Sequence, residues 1–448
     1  MICWRIWLKM IATAGVAAVV ALGPARSVPL SAASSLADMQ AQPGNGAIEL
    51  LSYHPGMNKG GGVFVWAAGS NAAPDGCTIF PGAGPGRWIR QLSGPLDVTM
   101  CGAYWDGSHD DAAVLNQAYR VAKTLRTSLT LPGGVGKVCS TVTAAPGVIL
   151  RGQGMGTAGA IGDSPTLVDA NCMKSGWVFD IVTPKGSAQL EAPKYYDMSI
   201  RIAGTTAAGG CIRWNSVDGG FTDTTASQAY IMHPHAERIY CEMNSGMADQ
   251  QIGLQCSKCF DGDFSQNNVV FGRHGIDLEG SDVICIGCAG PNRIAGATDN
   301  LIRMTSHGTF GNMDRVVENE ILYPSDFGQS YDSFIYDGAW SSTIESNHIE
   351  GQVKNALSAI HLDGGFTHGI QNNDIDAVVR SGVAVPNWLI ADGKFVNLRV
   401  VNNGCGGCIL GPALFNRGRG VSAYFNDGGV RQIITHAGNA ANGDAGFP

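Results

Sequence analysis

Short alternations of apolar and polar residues recur along the C-terminal two thirds of the chain and predict strands. Ile360 and Leu362 alternate with His361 and Asp363, and successive side chains of a strand point to opposite faces. Residues 358–377 therefore predict a strand, an Asp-Gly turn, a second strand, an Asn-Asn bend and a third short strand. Because similar units follow one another, we expect stacked coils whose chemistry lies on the outward positions.

An asparagine recurs along the same part of the chain at intervals of 23 to 30 residues. The positions are Asn215, Asn244, Asn267, Asn292, Asn319, Asn347, Asn373 and Asn403. A period of roughly 20 to 50 residues is typical of a solenoid. Buried Asn side chains at one bend of each coil can hydrogen-bond along the stack, so we predict a structural Asn ladder.

Residues 109–126 predict an amphipathic helix, because their apolar side chains form one stripe. Ser108 and Asp111 have the spacing of a capping box. Before this helix, 34–46 is a small, polar lead. Aromatic strand fragments broken by Gly and Pro then predict a small β-element of hairpins at 51–66 and 77–91.

Composition and charge narrow the class of protein. Charged residues make up 15% of the chain and 62 residues are Gly, against an average of about 25% charged residues in globular proteins. This composition favours many short strands joined by turns. The net charge of -8 and the lack of a basic run give no reason to expect nucleic-acid binding.

The first residues resemble a secretory signal. Arg5 and Lys9 provide the positive start, 11–23 a short apolar region, and small residues follow. We expect cleavage after Ala25 or near 31–33, and an uncleaved anchor is the alternative. The mature protein is then expected to be secreted or periplasmic, with no membrane association after signal removal.

The cysteines fit export. Twelve of the 13 cysteines follow the signal, and an even number in an exported chain favours disulfides. Cys211 and Cys241 are predicted to pair. The CxxC pairs at 256/259 and 285/288 are 29 residues apart and are predicted to stack on neighbouring coils; a four-Cys zinc site is the alternative. A third CxxC pair is at 405/408.

A run of motifs follows the N-terminal β-element. In order it comprises Cys101–Gly107 (CGAYWDG) with Ser108–Asp111, the amphipathic helix, Leu131–Gly134 (LPGG) and Leu150–Thr157 (LRGQGMGT). This order resembles the entrance of the pectate-lyase superfamily, in the rhamnogalacturonase/epimerase-like group shared with phage tailspikes. Cys101 replaces the usual aromatic residue, and Tyr104-Trp105 replace a Lys-Gly-type pair. The resemblance covers about 51–157.

The resemblance implies an all-β fold, namely a right-handed parallel β-helix (a solenoid) with a short N-terminal capping helix. Because the family contains lyases, hydrolases, epimerases and adhesins, it implies no single activity. We predict a signal peptide at 1–33, a lead and small β-element at 34–95, the β-helix at 96–430 with its helix at 109–126, and a tail at 431–448.

Five short segments, each with an outward polar residue near its end, predict a polar strip on one face of the solenoid. Their alignment places Glu279, Thr305, Asp337, Asp363 and Asp392 at one outward position. It places Asp277, Arg303, Ile335, His361 and Ile390 two residues earlier, and it points Tyr336 inward. Neighbouring strands lie about 4.8 Å apart. Turn formation is the alternative explanation for the Asp-Gly pairs, but it does not require Arg303 or His361.

The strip predicts acid–base chemistry on a glycan. In a hydrolase, Asp337 and Asp363 would serve as acid and as base or nucleophile, with Glu279 as a substitute partner. In a lyase or epimerase, Arg303 would neutralise a uronate and His361 would move the proton. Carboxylates outnumber basic groups on the strip, so we favour the hydrolase.

Asp277 and His307 complete the predicted substrate-binding set with Arg303. Ser306-His307-Gly308 resembles the His-Gly element of polygalacturonases. His233-Pro234-His235 resembles the Pro-His element of mannuronan epimerases, without its flanking Asp residues. No cofactor is predicted, although calcium is expected if the protein is a lyase.

The sequence thus predicts an exported enzyme that cleaves or modifies a polysaccharide, as a monomer or a homotrimer. The alternative is a non-catalytic carbohydrate-binding or tailspike-like envelope protein. That alternative would need exposed aromatic residues on the strip, and the aligned outward positions hold none.

Overall fold

The computed structural model describes residues 30–157, 160–182, 189–204, 208–215, 230–245, 250–306, 311–323, 333–351, 358–376, 387–404, 413–415, 421–424 and 435–436. Residues 1–29, most of the predicted signal peptide, lie outside this range. Within it, no helix is both long and apolar enough to cross a membrane.

A small N-terminal sheet precedes the solenoid. It contains β1 (Ser31–Ala33), β2 (Ala47–Ser52), β3 (Gly60–Ala68), β4 (Ile79–Pro81) and β5 (Gly86–Arg90), in the order β1-β2-β3-β5-β4. The pairs β2–β3, β3–β5 and β4–β5 are antiparallel, as the predicted hairpins require. A short helix, α1 (Leu36–Ala41), occupies part of the predicted polar lead. The edge strand β1 lies within the last residues of the predicted signal peptide.

The rest of the described chain is a parallel β-helix, which confirms the predicted fold class. The strands of the coils form three parallel sheets, which we name A, B and C; from β9 onward the chain visits them in this order.

Sheet A contains β9 (Val142–Thr143), β12 (Gly176–Val182), β15 (Gly209–Asn215), β18 (Gln251–Ser257), β21 (His274–Glu279), β24 (Ile302–Thr305), β27 (Ser333–Gly338), the first halves of β30 (Ser358–Gln371) and β32 (Asn387–Val401), β33 (Ala413–Phe415) and β35 (Thr435–His436). The last of these strands lies in the predicted tail.

Sheet B contains β6 (Leu96–Asp97), β7 (Leu129–Thr130), β10 (Ile149–Arg151), β13 (Leu190–Glu191), the first halves of β14 (Lys194–Arg201) and β17 (His235–Glu242), β16 (Ile231–Met232), β19 (Cys259–Ser265), β22 (Asp282–Ile286), β25 (Asp314–Val317), β28 (Ser341–Glu345), the second halves of β30 and β32, and β34 (Val421–Tyr424).

Sheet C contains β8 (Gly134–Lys137), β11 (Thr166–Asp169), the second halves of β14 and β17, β20 (Asn268–Val270), β23 (Arg293–Ala295), β26 (Glu320–Tyr323), β29 (His348–Gly351) and β31 (Asp374–Asp376). Two short 3-10 helices lie at Val98–Cys101 and Ile161–Asp163.

One hydrophobic core fills the solenoid from its first coil onward. Inward Ile and Leu residues stack in register, as in the series Ile276, Ile302, Ile335, Ile360 and Leu389, and all five are buried. Burial of such residues is the main term that favours folding.

The Asn ladder lies at the bend between sheets B and C. Five hydrogen bonds of 2.8 to 3.0 Å, each from one side-chain amide to the side-chain oxygen of the next residue, link its six buried members: Asn267, Asn292, Asn319, Asn347, Asn373 and Asn403. The prediction is wrong for Asn215, which ends β15 on sheet A, and for Asn244, whose backbone N–H donates to Gln251.

The predicted helix is present as α2, Ala112–Leu125. Leu115, Ala118 and Ala122 on its apolar stripe are buried and join the same core as Leu129 of the first coils.

The predicted capping box at the start of α2 is wrong. The Asp111 carboxylate accepts hydrogen bonds from the backbone N–H groups of Tyr104 at 2.8 Å and Trp105 at 3.0 Å, and makes no capping bond. Asp110 instead accepts from Ala112 N–H at 3.1 Å. The Asp111 carboxylate therefore holds the preceding loop against the helix.

Five disulfides link described cysteines: Cys77–Cys101, Cys139–Cys172, Cys211–Cys241, Cys256–Cys259 and Cys285–Cys288. The predicted Cys211–Cys241 pair is confirmed. Each of the two described CxxC pairs closes on itself, so both the stacked pairing and the zinc alternative are wrong. The reason is the strand register, because the residue beside Cys256 on the next coil is Leu278 and not a cysteine. Residues 405 and 408 lie outside the described residues.

A buried histidine on sheet A makes stability depend on pH. Burial lowers the pKa of His274 to about 4, although nearby Asp299 opposes the fall. The folded state therefore binds fewer protons than the unfolded state between pH 4 and 6.5, and stability falls as the pH falls through this window. We expect the free energy of unfolding to drop by about 2 to 3 kcal/mol more between pH 7.5 and 4.5 in the wild type than in His274→Gln. Urea unfolding at both pH values measures this difference, and equal drops would contradict it.

Candidate functional site

A column of polar side chains follows the outer face of sheet A and forms the predicted strip. Consecutive coils place the following residues in register: Asp180, Arg213, Gln255, Asp277, Arg303, Tyr336 and His361. A second column, two residues further along each strand, contains Glu279, Thr305, Gly338, Asp363 and Asp392. We call the two columns together the outer strip.

The middle of the outer strip is an ion-pair cluster. Arg303 Nη1 lies 2.9 Å from Asp277 Oδ1 and 3.5 Å from Glu279 Oε1. Gln255 donates to Asp277 at 3.1 Å, and the Ser257 hydroxyl donates to Glu279 at 3.0 Å. Burial raises the pKa of Asp277, which is 1% exposed, while Arg303 opposes that rise. The structure thus brings together three predicted residues, but their charges already satisfy one another.

On the more C-terminal coils of the outer strip, two predicted residues, Asp363 and His361, contact Tyr336 and Asp392. The Tyr336 hydroxyl donates to Asp363 at 2.7 Å, and His361 Nε2 lies 3.2 Å from Asp392 Oδ2. The Tyr336 and His361 rings meet edge to face, with centroids 5.3 Å apart. Asp363 and Asp392 are in register on neighbouring coils, so their Cα atoms lie about 4.8 Å apart.

Gly338 makes room for this arrangement. A Cβ atom at 338 would lie 3.3 Å from Tyr336 Cε1 and 3.5 Å from its hydroxyl oxygen. Because the second column has no side chain on this coil, the Tyr336 ring lies across the gap and reaches Asp363.

The prediction that Asp337 lies on the strip is wrong. Asp337 is 0% exposed, is in register with the core residue Leu362, and accepts a hydrogen bond from Ala339 N–H at 3.0 Å. Its carboxylate also accepts from the Ser342 hydroxyl and lies 3.2 Å from His368 Nδ1.

The cause of this error is a one-residue shift in the alignment. The chain from Ser358 reaches its Asp-Gly pair one residue later than the chain from Ser333, with which it is in register. A shift of one residue moves a side chain to the opposite face. Tyr336, predicted to point inward, therefore faces outward, and Ile335 lies in the core. His307 lies outside the described residues.

A groove of about 330 Å³ lies on the outer face of sheet B, and we call it the sheet B groove. One register column runs through it on consecutive coils: Lys194, His235, Asp263, Cys285 and Arg315. Its remaining lining residues are His233, Pro234, Asp261, Gly262, Val283, Ile284, Cys288 and Met313. The groove therefore combines two cationic side chains, two imidazoles and two aspartates with an apolar wall that includes a disulfide.

The imidazole of His235 is held from two sides. Its Nε2 lies 3.2 Å from Glu237 Oε2, and its ring packs against Tyr196 with centroids 4.8 Å apart. Burial lowers the pKa of His235, Asp263 opposes this fall, and Lys194 adds to it. His235 is therefore neutral at neutral pH and can accept a proton there.

The other imidazole, that of His233, contacts two carboxylates. His233 Nδ1 lies 2.8 Å from Glu191 Oε2, and its Nε2 lies 3.6 Å from Asp261 Oδ2. Glu191 also holds Lys194 Nζ at 3.2 Å. These contacts fix one side of the groove, while Arg315 makes no ion pair with any residue that the structure describes.

The His-Pro-His motif of the sequence marks this groove, although the period of the Asn residues does not. His233-Pro234-His235 lacks flanking Asp residues, but the next coil supplies Asp261 and Asp263 on the same face. No group of three or more His, Cys, Asp or Glu side chains suited to a metal occurs within the described ranges.

Parts of the chain match known proteins in sequence. Residues 32–93 match the model of the phage tail protein small four-stranded β-sheet domain. A capsule K2-specific depolymerase of Klebsiella phage vB_KpnP_KpV74 is 30% identical over 82 residues, which are 18% of this chain and 14% of that protein. This chain therefore matches only a small part of that relative.

Two solved structures share the fold over most of the chain. Full-length tailspike protein 2 from Escherichia coli O157:H7 bacteriophage CAB120 superposes with a TM-score of 0.61 and 13% identity, covering 88% of this chain and 52% of its own. A mannuronan C-5 epimerase A-module from Azotobacter vinelandii gives a TM-score of 0.51 and 15% identity, covering 77% of this chain and 96% of its own. These matches confirm the predicted parallel β-helix fold, and the chain spans about half the length of the tailspike.

Proposed function

We propose that this protein is an exported enzyme that acts on an acidic polysaccharide, and that the sheet B groove removes the C5 proton of a uronate unit. The observation that carries the proposal is the register column that gathers Lys194, neutral His235, Asp263 and Arg315 in one groove. A cation pair beside a neutral base suits a carboxylate-bearing sugar, because removal of its C5 proton places negative charge on the carboxylate.

Each groove residue has a proposed role in that step. Lys194 and Arg315 bind the uronate carboxylate and stabilise the charge that develops on it. His235 takes the C5 proton, the electrons of the C–H bond pass to the carboxylate, and Asp263 stabilises the imidazolium that forms. In a lyase, these electrons then form the C4=C5 double bond while the C4–O glycosidic bond breaks, and the departing oxygen takes the proton held by His235. In an epimerase, a water molecule gives a proton to C5 from the opposite face, and the hydroxide that remains takes the proton held by His235.

The comparisons support the substrate class. One structural neighbour is a mannuronan C-5 epimerase A-module, and one relative is a capsule K2-specific depolymerase. The five disulfides among the described residues fit an oxidising compartment outside the cytoplasm. A monomer or a homotrimer stays a prediction. Calcium for a lyase also stays a prediction, although in this proposal Lys194 and Arg315 supply the neutralising charge.

A screen of the purified protein on acidic and neutral polysaccharides tests the proposal. Unsaturated uronate, followed by its ultraviolet absorbance, or a changed ratio of C5 epimers, followed by NMR, is the expected product with acidic polymers. Reducing ends formed without either product would contradict the role of the groove.

A hydrolase on the outer strip is the second candidate function. Asp363 and Asp392 are in register, and retaining glycosidases hold two carboxyl groups about 5 to 5.5 Å apart. In this reaction Asp363 would be the base or nucleophile and Asp392, next to His361, would deliver the proton. Glu279 stays a predicted substitute partner, with Arg303 and Asp277 as predicted substrate-binding residues.

One substitution separates the two candidates. If the strip hydrolyses the polymer, Asp363→Asn should lower the rate of reducing-end release by about 10²-fold or more while the melting temperature stays nearly unchanged. If the sheet B groove is the catalytic site, Asp363→Asn keeps its activity. Asp374→Asn, a substitution of an exposed aspartate on sheet C, is the matched control.

A further inference from the structure

An exposed aromatic pair lies at the bend between sheets A and B. Trp340 and Phe366 are 40% and 48% exposed, on consecutive coils. Their ring planes are parallel within 4°, and their centroids lie 6.0 Å apart. Among the large hydrophobic side chains exposed in the described part of the chain, these two are the aromatic ones. We call them the aromatic pair.

The backbone beneath the aromatic pair is fixed. Trp340 N–H donates to Gly311 O at 2.7 Å, and Phe366 N–H donates to Trp340 O at 2.6 Å. Gly365 has a φ of 139°, and a Cβ atom there would lie 2.9 Å from Ala339 O. The bend therefore requires glycine at this position, and the backbone that carries both rings is held in place before any ligand arrives.

An exposed polar acceptor lies close to the aromatic pair along the chain. The exposed carboxylate of Asp363 precedes Phe366 by three residues, and it accepts from the Tyr336 hydroxyl at 2.7 Å. A pyranose ring has an apolar face of C–H groups and a rim of hydroxyl donors. Aromatic faces beside a hydrogen-bond acceptor match both features. A purely apolar partner would instead cover the Asp363 carboxylate and remove its water without replacing the hydrogen bonds.

We propose that Trp340 and Phe366 form a carbohydrate-binding subsite that takes a pyranose unit of a polysaccharide, with sugar hydroxyls donating to Asp363. The subsite lies at the bend between sheets A and B, whereas the sheet B groove lies on the outer face of sheet B. The subsite would hold a chain whether or not the groove reacts with that chain. It therefore goes beyond the proposed function and does not rest on it.

Affinity electrophoresis in gels containing sodium alginate, polygalacturonate or dextran tests the subsite. The wild type should be retarded by at least one of these polymers. Trp340→Ala/Phe366→Ala should raise the dissociation constant about tenfold or more, and each single variant should raise it less. Leu125→Ala, a substitution of an exposed apolar residue on α2, is the matched control and should bind like the wild type. Thermal melting shows that each variant is folded.

Three results would overturn the subsite. One is equal retardation of the wild type and the double variant, and another is no retardation of the wild type by any of the three polymers. The third is a wild-type oligomer that the double variant converts to monomers in sedimentation, since the pair would then be covered by a second copy. A wild type that binds a polymer without changing it would contradict the proposed reaction but support the subsite.

Discussion

Replacement of His235 by Gln should lower the rate of acidic-polysaccharide conversion by about 10²- to 10⁴-fold, because the amide cannot accept the C5 proton. The side chain is of similar length, so we expect little change in melting temperature. Initial rates of unsaturated or epimerised product, with folding checked by circular dichroism, measure the effect. His348→Gln, a substitution of a half-buried histidine on sheet C, is the control and should leave the rate unchanged.

The pH profile gives a second readout of the same prediction. Since burial lowers the pKa of His235, the imidazole should stay neutral below the ordinary value of 6.5. The wild-type rate should therefore persist below pH 6.5 and fall at more acidic pH, as His235 becomes protonated. An acidic limb above pH 6.5, or a His235→Gln variant with wild-type activity, would remove His235 from the reaction.

Replacement of Asn319 by Ala should lower the free energy of unfolding by about 3 to 5 kcal/mol. Its amide donates to Ile286 O at 2.9 Å, Val317 O at 3.0 Å and Asn347 Oδ1 at 3.0 Å. Its oxygen accepts from the Asn292 side chain at 2.8 Å. Alanine removes all of these buried hydrogen bonds at once and breaks the ladder between Asn292 and Asn347. A loss of this size is a large part of a typical domain's stability.

The midpoint of urea unfolding, followed by circular dichroism, measures this loss. Asn372→Asp is the matched control, because Asn372 is an exposed neighbour of the ladder with a φ of 56°, and Asp tolerates that conformation. The control should stay within about 0.5 kcal/mol of the wild type. A similar midpoint for Asn319→Ala would show that the ladder contributes little to stability.

The sequence was sufficient to predict the solenoid and most of its ladder. Asn267 to Asn403 could be found because each lies at the same bend of a coil, which keeps its spacing nearly regular. The prediction was wrong for Asn215 and Asn244 because the bends differ on earlier coils. Asn215 lies on sheet A, and the backbone N–H of Asn244 donates to Gln251.

The outer strip was only partly predictable, because alternation fixes a face only when the register is known. Asp363 and His361 were placed correctly. Asp337 was misplaced by one residue and is buried, whereas Tyr336, taken as inward, contacts His361 on the outer face. Asp392 was aligned in the right column, but only the structure shows that it lies beside His361.

The sheet B groove could not be predicted from sequence periodicity. Lys194, His235, Asp263 and Arg315 are separated by unequal stretches of chain, because loops of different length separate their coils. Only the hydrogen-bonded register brings them into one column. The His-Pro-His motif marked one coil, but its aspartate partners came from the next.

Exchange of the C5 hydrogen tests the proposed function most directly. The wild type is incubated in D₂O with a soluble polyuronate on which it is active, and the polymer and its products are examined by NMR. We predict deuterium at C5 or loss of the C5 hydrogen to an unsaturated product, with neither in His235→Gln. Cleavage that leaves every C5 hydrogen in place, and that Asp363→Asn abolishes, would contradict the account and place the reaction on the outer strip.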